Sequence, residues 1–440
     1  MKKLFLALIL ILYLCAPLVH AKAGESVLMD SETIDWMRTL AEPLLEKADI
    51  DPKTVNFYLI KSDDINAFVT PGRDIFFYSG LILKATSAEE VQGVLAHEIG
   101  HIKGNHYIKS LANQSEAKIP IILSTLLGAG AAALGSGDAA IALIYGGLAT
   151  SQDQYLRHSR SHERQADSIA ASLLNQNNRS TAALISFFDK LRTSNLLYSR
   201  TPPAWLVTHP LPSTRISAMQ GHLKNEKISQ REEPLNQKQF LRIQAKLNAF
   251  TKSSGYNLRK YAYQESEDAL YARTITVALQ GKIDEAILLA EAMNPQQVSK
   301  PFHYELLAQL YQDKARYKDA DKVLQKALDL NPDLNFIRLQ LAQNNIILEE
   351  YDDAIKHLHI VSIARPTWSH IYKSLGIAHG KKGELFESHL YLAKEAALKK
   401  NQKDINLHLQ IAKMHMTKDD KKQQARLDIA KEMLTLAEKS

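Results

Sequence analysis

Two histidines and a glutamate, His97, Glu98 and His101 in the stretch HEIGH, are the residues of this chain best suited to chemistry. Residues four apart share a helix face, so both imidazoles can reach one metal ion. Glu98 then lies beside the water that the metal polarises. Zinc lowers the pKa of such a water from about 15.7 toward about 7, and a carboxylate can take its proton as a carbonyl is attacked. A catalytic zinc takes three protein ligands and leaves a further position to water. The best third ligand is Glu163, in Ser159-Arg160-Ser161-His162-Glu163-Arg164-Gln165-Ala166-Asp167. Asp167, one turn on, is placed to accept a hydrogen bond from the far nitrogen of a ligating histidine, which fixes its tautomer. The competing reading of this segment is a solvated charged helix face with Arg160 and Arg164 as partners.

The elements that must position these groups are legible around them. Ser87 followed by Glu90 has capping-box spacing, and it predicts a helix start near Ser87. Val91, Val94, Leu95, Ile99 and Ile102 then recur at helical spacing, which predicts a buried face with the histidines on a neighbouring stripe. Gly100 and Gly104 remove side-chain bulk and would let another segment approach closely. His106 does not share the face of the pair and reads as an ordinary polar residue past the helix end. Upstream, residues 55–60, 67–69 and 75–78 are short β-branched or aromatic runs between polar or Pro-Gly turns, the signal of a small sheet. Phe76 and Phe77 are expected to fill the core beneath the helix.

The chain opens with Lys2 and Lys3, an apolar run from Leu4 to Leu14, and Val19-His20-Ala21, which together read as a secretory signal peptide over 1–21. The run is short for a membrane span of about 20 residues. Cys15 is the one cysteine and falls within that signal, so the expected mature protein depends on no disulfide. Loss of Lys2 and Lys3 takes the formal charge from +6 to +4, a mild excess without a basic-aromatic stripe that argues against nucleic acid. Residues 119–149 are rich in Ile, Leu, Ala and Gly and break at Gly135-Ser136-Gly137. Each half is shorter than a span. The preferred reading is a helical hairpin covering the cleft; the other is a flap touching a membrane or a partner.

Beyond about Gly221 the composition shifts and a repeat appears. Ala286, Ala320, Ala354 and Ser388 are spaced by 34 residues, as are Ile283, Tyr317, Tyr351 and Leu385, and Thr274, Ala308, Ala342 and Gly376. Asn331-Pro332 and Arg365-Pro366 punctuate the same period, and Asn294-Pro295 ends an earlier unit slightly out of phase. This is the tetratricopeptide signature: helix pairs that bury their faces only by stacking on neighbours. Four units are expected over 269–399, capped by helices near 238–250 and 406–438.

HEIGH with E-x-x-x-D resembles the gluzincin metallopeptidases, which include the CAAX-prenyl endopeptidases, the HtpX-type membrane proteases and their periplasmic relatives. Asn66-Ala67-Phe68, Pro71-Gly72-Arg73-Asp74-Ile75-Phe76, Ser79-Gly80-Leu81, and Thr208-His209-Pro210-Leu211-Pro212 with Arg215-Ile216 extend the resemblance over residues 29–219. It implies one zinc per chain held by His97, His101 and Glu163, Glu98 as general base and proton shuttle, and Asp167 orienting a ligand. His209 is left with several roles: oxyanion stabiliser, proton donor, a ligand that blocks the open position, or a loop histidine fixed by its proline. The resemblance also implies an exposed strand edge at 68–71 that binds extended substrate by strand addition.

The expected fold class is an α+β zincin-like metallopeptidase domain, mostly helical with a small sheet, followed by an all-α tetratricopeptide solenoid. The expected domains are 1–21 signal, 22–225 peptidase with the 119–149 hairpin, 226–268 connecting segment, 269–400 repeats and 401–440 capping helices. A protease joined to such an array resembles the periplasmic members of the family that act in outer-membrane assembly. Its implied clients are unfolded or stalled β-barrel proteins, with the repeats docking on the barrel assembly machinery. The alternatives are a chaperone-like assembly factor whose metal site is mostly held shut, and a repeat adaptor with a vestigial hydrolase. The complete set of His97, Glu98, His101 and Glu163 counts against the last.

Overall fold

The computed structural model describes residues 26–70, 73–106, 160–197, 204–226, 228, 235–294, 299–399, 401–417, 420–421 and 423–428. The expected signal over 1–21, the expected hairpin over 119–149, Pro71-Gly72 of the expected substrate edge and the last residues of the expected C-terminal cap lie outside them. Among the described residues no helix is long and apolar enough to cross a membrane.

The N-terminal unit is helices around one small sheet. Strands β1 (Ser26–Leu28), β2 (Asn56–Lys61), β3 (Ala67–Val69) and β4 (Asp74–Tyr78) lie in the order β1-β2-β4-β3, with β2 and β4 parallel and the other pairs antiparallel. The three expected strands are present within a residue; β1 was not anticipated, since three residues carry too little alternation to read. Helix α1 (Ser31–Lys47) packs on β2, and α2 (Ser79–Lys84) leads from β4 into α3 (Ala88–Lys103). Phe77 is in the main core, as expected. Phe76 points to the opposite face of β4, where its ring stacks between Phe68 and Tyr58, both at 4.8 Å. Strand alternation sends neighbours to opposite faces, so one of the pair had to leave the core beneath the helix.

Helix α3 begins where the cap predicts. Ser87 is its N-cap and accepts from the Glu90 amide. The reciprocal bond is displaced by one residue, because the Glu90 carboxylate takes the Thr86 amide at 2.8 Å. It also takes the Ser186 hydroxyl and Lys190, which staple α3 to α5 (Ala182–Leu197). The helix is buried on nearly every face over residues 90–101, so it is the central rod of the unit and no simple amphipathic helix. Across it lies α4 (Arg160–Gln176), followed after α5 by α6 (Ala204–Thr208) and α7 (Ser213–Lys224).

Helices α8 (Gln237–Thr251) and α9 (Ser254–Tyr261) lead into four antiparallel pairs. These are α10–α11 (Glu267–Leu279, Ile283–Glu291), α12–α13 (Lys300–Asp313, Tyr317–Leu330), α14–α15 (Asn335–Ile347, Tyr351–Ala364) and α16–α17 (Ser369–Lys381, Leu385–Leu398), with α18 (Gln402–Met414) after them. Ala286, Ala320, Ala354 and Ser388 are buried where helices cross. A Cβ added at Gly376 would lie 2.7 Å from the Leu392 side chain, so only hydrogen fits there. The turn inside each pair places Gly281, Ala315, Glu349 and Gly383 at positive φ, again 34 residues apart.

Helix α8 belongs to both halves. Its Phe240, Ile243 and Leu247 enter the N-terminal core, while Ala249 enters the core of the first repeats. Between the halves a charged cluster is buried. Arg242 donates to Glu32 at 2.6 Å, Lys246 to Asp30 at 2.6 Å, and Tyr271 to Glu32 at 2.9 Å. The Arg242 guanidinium also lies 3.4 Å from the centre of the Tyr271 ring, a cation–π contact.

Candidate metal centre

Four donor residues converge. His97 and His101 project from α3, Glu163 from α4, and His209 from the turn after α6, and one ligand atom from each lies within 4.8 Å of the others. All four are buried. The Nε2 atoms of His97 and His101 are 3.1 Å apart, and each is 3.5 Å from a Glu163 oxygen. His209 Nδ1 is 3.3 Å from Glu163 Oε1, and its ring stacks on Trp205 at 4.7 Å.

Helix α4 reaches the cluster because Gly100 lets it. A Cβ at position 100 would sit 2.7 Å from the Ala166 carbonyl oxygen, which would force the two helices apart. The close approach expected of Gly100 is therefore real. Gly104 serves a different neighbour, the ring of His106, whose atoms lie 2.3–2.7 Å from where a Cβ would be.

The carboxylates are organised by one arginine, Arg215, which in the sequence is only a letter of a motif. Asp167 faces His97 Nδ1 at 3.0 Å and takes Arg215 Nε and Nη2 at 2.7 and 2.8 Å. Arg215 Nη1 also reaches Glu163 Oε2 at 2.7 Å and the Pro210 carbonyl at 2.8 Å. Neither Arg160 nor Arg164 is needed for this pairing. The fork from α7 joins both carboxylates of α4 to the turn that carries His209, a geometry suited to a planar guanidinium.

His106 corrects the sequence reading. It follows the end of α3 but is buried, with Nδ1 3.0 Å from His101 Nδ1 and Nε2 2.9 Å from Gln165 Oε1. Its ring stacks on His162 at 4.6 Å. His106 does not share the face of His97 and His101, but the turn that follows the helix carries its ring back onto His101.

Electrostatics follow from these partners. Burial alone would lower the pKa of His97, but hydrogen bonds to Asp167 and Glu163 reverse this and hold it at about 9. Burial raises Glu163 and Asp167 too, yet the histidines around the first and Arg215 with His97 around the second bring both below their ordinary values. Glu98 behaves otherwise. Burial raises its carboxyl, and the His209 and His97 rings offset this only in part. Glu98 Oε1 is 3.7 Å from His209 Nε2, and the Trp205 indole also draws the carboxyl down.

These residues fit a metal ion. Two imidazoles and a carboxylate are a common donor set for a borderline cation. Asp167 takes the outer nitrogen of His97, which leaves its Nε2 lone pair aimed at the cluster. A bound cation supplies Lewis acidity and an acidic water. Glu98 is buried beside these donors, where a carboxylate is placed to exchange a proton with a group at the cluster.

The fold and the site together define a metalloendopeptidase domain. Residues 31–223 match Peptidase family M48. Residues 279–360 match a helical repeat region described as Anaphase-promoting complex, cyclosome, subunit 3, in agreement with the tetratricopeptide period. Among curated proteins, the Beta-barrel assembly-enhancing protease of Yersinia pestis is 26% identical over 352 residues, covering 78% of this chain and 72% of the relative. A Putative beta-barrel assembly-enhancing protease of Vibrio cholerae is 30% identical over 194 residues, 44% of this chain and 40% of the relative. Metalloprotease LoiP of Escherichia coli is 31% identical over 169 residues, 37% of this chain and 60% of the relative.

Proposed function

We propose that the protein is a zinc endopeptidase of the bacterial periplasm that degrades misassembled outer-membrane β-barrel proteins and supports their assembly. The repeats bind partners, including the barrel assembly machinery. The observation that carries the catalytic half is the buried Glu98 carboxylate beside three metal-type donors, His97, His101 and Glu163. In this reading those three hold one zinc per chain, Glu98 is the general base and then proton shuttle, and Asp167 orients His97. The client class rests on what the relatives are called and on the repeat array, and the location on the signal-like start of the chain.

One observation favours a second reading, a chaperone-like factor whose metal site is largely self-inhibited. His209 is wholly buried and its donor atom lies inside the same cluster, so it can complete the metal shell and displace water.

The test uses purified full chain and an unfolded outer-membrane barrel protein. Wild type should contain one zinc per chain and cleave; Glu98→Gln and a chelated sample should each be slower by about a hundredfold or more. If all three cleave alike, the peptidase reading fails. His209→Ala should raise the rate if His209 blocks and lower it if it acts on substrate. An unchanged rate leaves it a loop histidine.

A further inference from the structure

We propose that His106 and Gln165 are positioning residues for the metal centre, forming a hydrogen-bond relay that holds His101 with its Nε2 lone pair toward the metal. The inference rests on the reading of His97, His101 and Glu163 as metal ligands and assigns them a support that the family motif does not name.

Two facing nitrogens decide where the protons lie. His101 Nδ1 and His106 Nδ1 are 3.0 Å apart, so they share a single proton. If His106 held it, His101 Nδ1 would be the acceptor, and the proton of a neutral His101 would sit on Nε2 and occupy the coordinating position. A ligating His101 therefore donates from Nδ1, and His106 accepts. The proton of neutral His106 is then on Nε2, where the Gln165 carbonyl oxygen takes it at 2.9 Å. One tautomer of each ring satisfies all three groups.

The surroundings hold His106 to this task. Its ring is buried, stacked on His162, and seated over Gly104, where a methyl group would collide with it. The relay makes the two ligands unequal. His97 donates to the charged Asp167–Arg215 pair, whereas His101 donates to a neutral imidazole. A neutral acceptor fixes the direction of the ring while adding less electron density to the ligand nitrogen. Gln165 comes from α4, the helix that also supplies Glu163, so the relay locks the third ligand's helix to the second ligand's side chain.

The experiment is zinc affinity of the full chain by competition with a chromophoric chelator, beside the visible spectrum of the cobalt-substituted protein. His106→Leu, which fills the space and removes the acceptor, should weaken zinc binding about 10- to 100-fold and change the cobalt bands. His106→Asn, whose side-chain oxygen can stand where Nδ1 stands, should recover most of the loss. Gln165→Leu should give a smaller weakening. Gly104→Ala, which alters no polar group but expels the ring, should shift affinity and spectrum in the direction of His106→Leu. Unfolding of each metal-free variant in denaturant separates folding from coordination. If folded Gln165→Leu and Gly104→Ala both bind zinc as wild type does, the relay is overturned while the metal reading stands. Equal losses for His106→Leu and His106→Asn also overturn it. Wild type that binds no metal overturns the metal reading, and the relay with it.

Discussion

The two halves of this molecule bury opposite things. Around the metal centre the interior is charged: His97, Glu98, His101, Glu163, Asp167, His209 and Arg215 are each at most 3% exposed. In the repeats the crossing points are small, with Ala286, Ala320 and Ala354 fully buried and Ser388 in the fourth place. Buried ions are tolerable only when every partner is in place, and their partners here come from segments far apart in sequence. Asp167 and Arg215 are 48 residues apart, His209 and Glu163 46. A buried methyl needs only a close neighbour, which the stacked helix next in the chain supplies. The first arrangement is cooperative across the domain, and the second is assembled one contact at a time. The centre is thus sensitive to the loss of any single group, whereas the array tolerates change that respects its period.

The largest effect is expected at Arg215. Arg215→Met keeps bulk but leaves the Asp167 and Glu163 carboxylates buried without their cation, and should destabilise the metal-free protein by about 3–5 kcal/mol. Denaturant unfolding measures this; a loss below about 1 kcal/mol would mean that the charged centre is no more demanding than the array.

A smaller effect lies at the junction, where both habits meet. Burial pushes the Glu305 carboxyl up to about 7, with Asp30 and Glu32 adding to the shift and Lys246 and the Ser31 hydroxyl opposing it. A raised carboxyl is bound more tightly to its proton in the folded chain than in the unfolded one. Its contribution therefore falls as pH rises from 4.5 to about 7. Glu32 is lowered, burial being overcome by Arg242 and Lys246, so its contribution is lost only in more acid solution. Glu305→Gln should remove the decline between pH 4.5 and 7 in the unfolding midpoint while leaving the acid limb. Parallel pH profiles of the two proteins would contradict the assignment.

The smallest effect is in the array itself. Ala315 occupies the repeat turn at φ +55° and is exposed, where two of the four equivalent positions carry glycine. Ala315→Gly relieves the Cβ clash of the left-handed conformation and should stabilise by about 0.5–1 kcal/mol. A destabilised variant would show that this turn is set by packing and not by backbone preference.

How much was legible follows the same division. The 34-residue period gave the helix pairs and their crossing residues directly, because each contact is repeated at a fixed distance along the chain. HEIGH gave the helix that carries it, and E-x-x-x-D the helix across from it, since both patterns are local. His106 was misread because helical periodicity describes residues on one helix face and says nothing of a side chain folded back from the turn. Arg215 was visible only as a letter in a motif; no spacing rule announces that one guanidinium will span two carboxylates of another helix. Phe76 shows the same limit on a smaller scale, placed by strand alternation on the face away from the core.

What the sequence offered by itself is His97, His101 and Glu163 as candidate ligands, the pairing of the two histidines and the stacked repeats, from periods of four and thirty-four residues. Only the tertiary structure decided that His209 enters the cluster, that Arg215 ties its carboxylates together, and that His106 backs His101. Those contacts depend on where distant helices cross, and burial of their charges is affordable only once all of them have met.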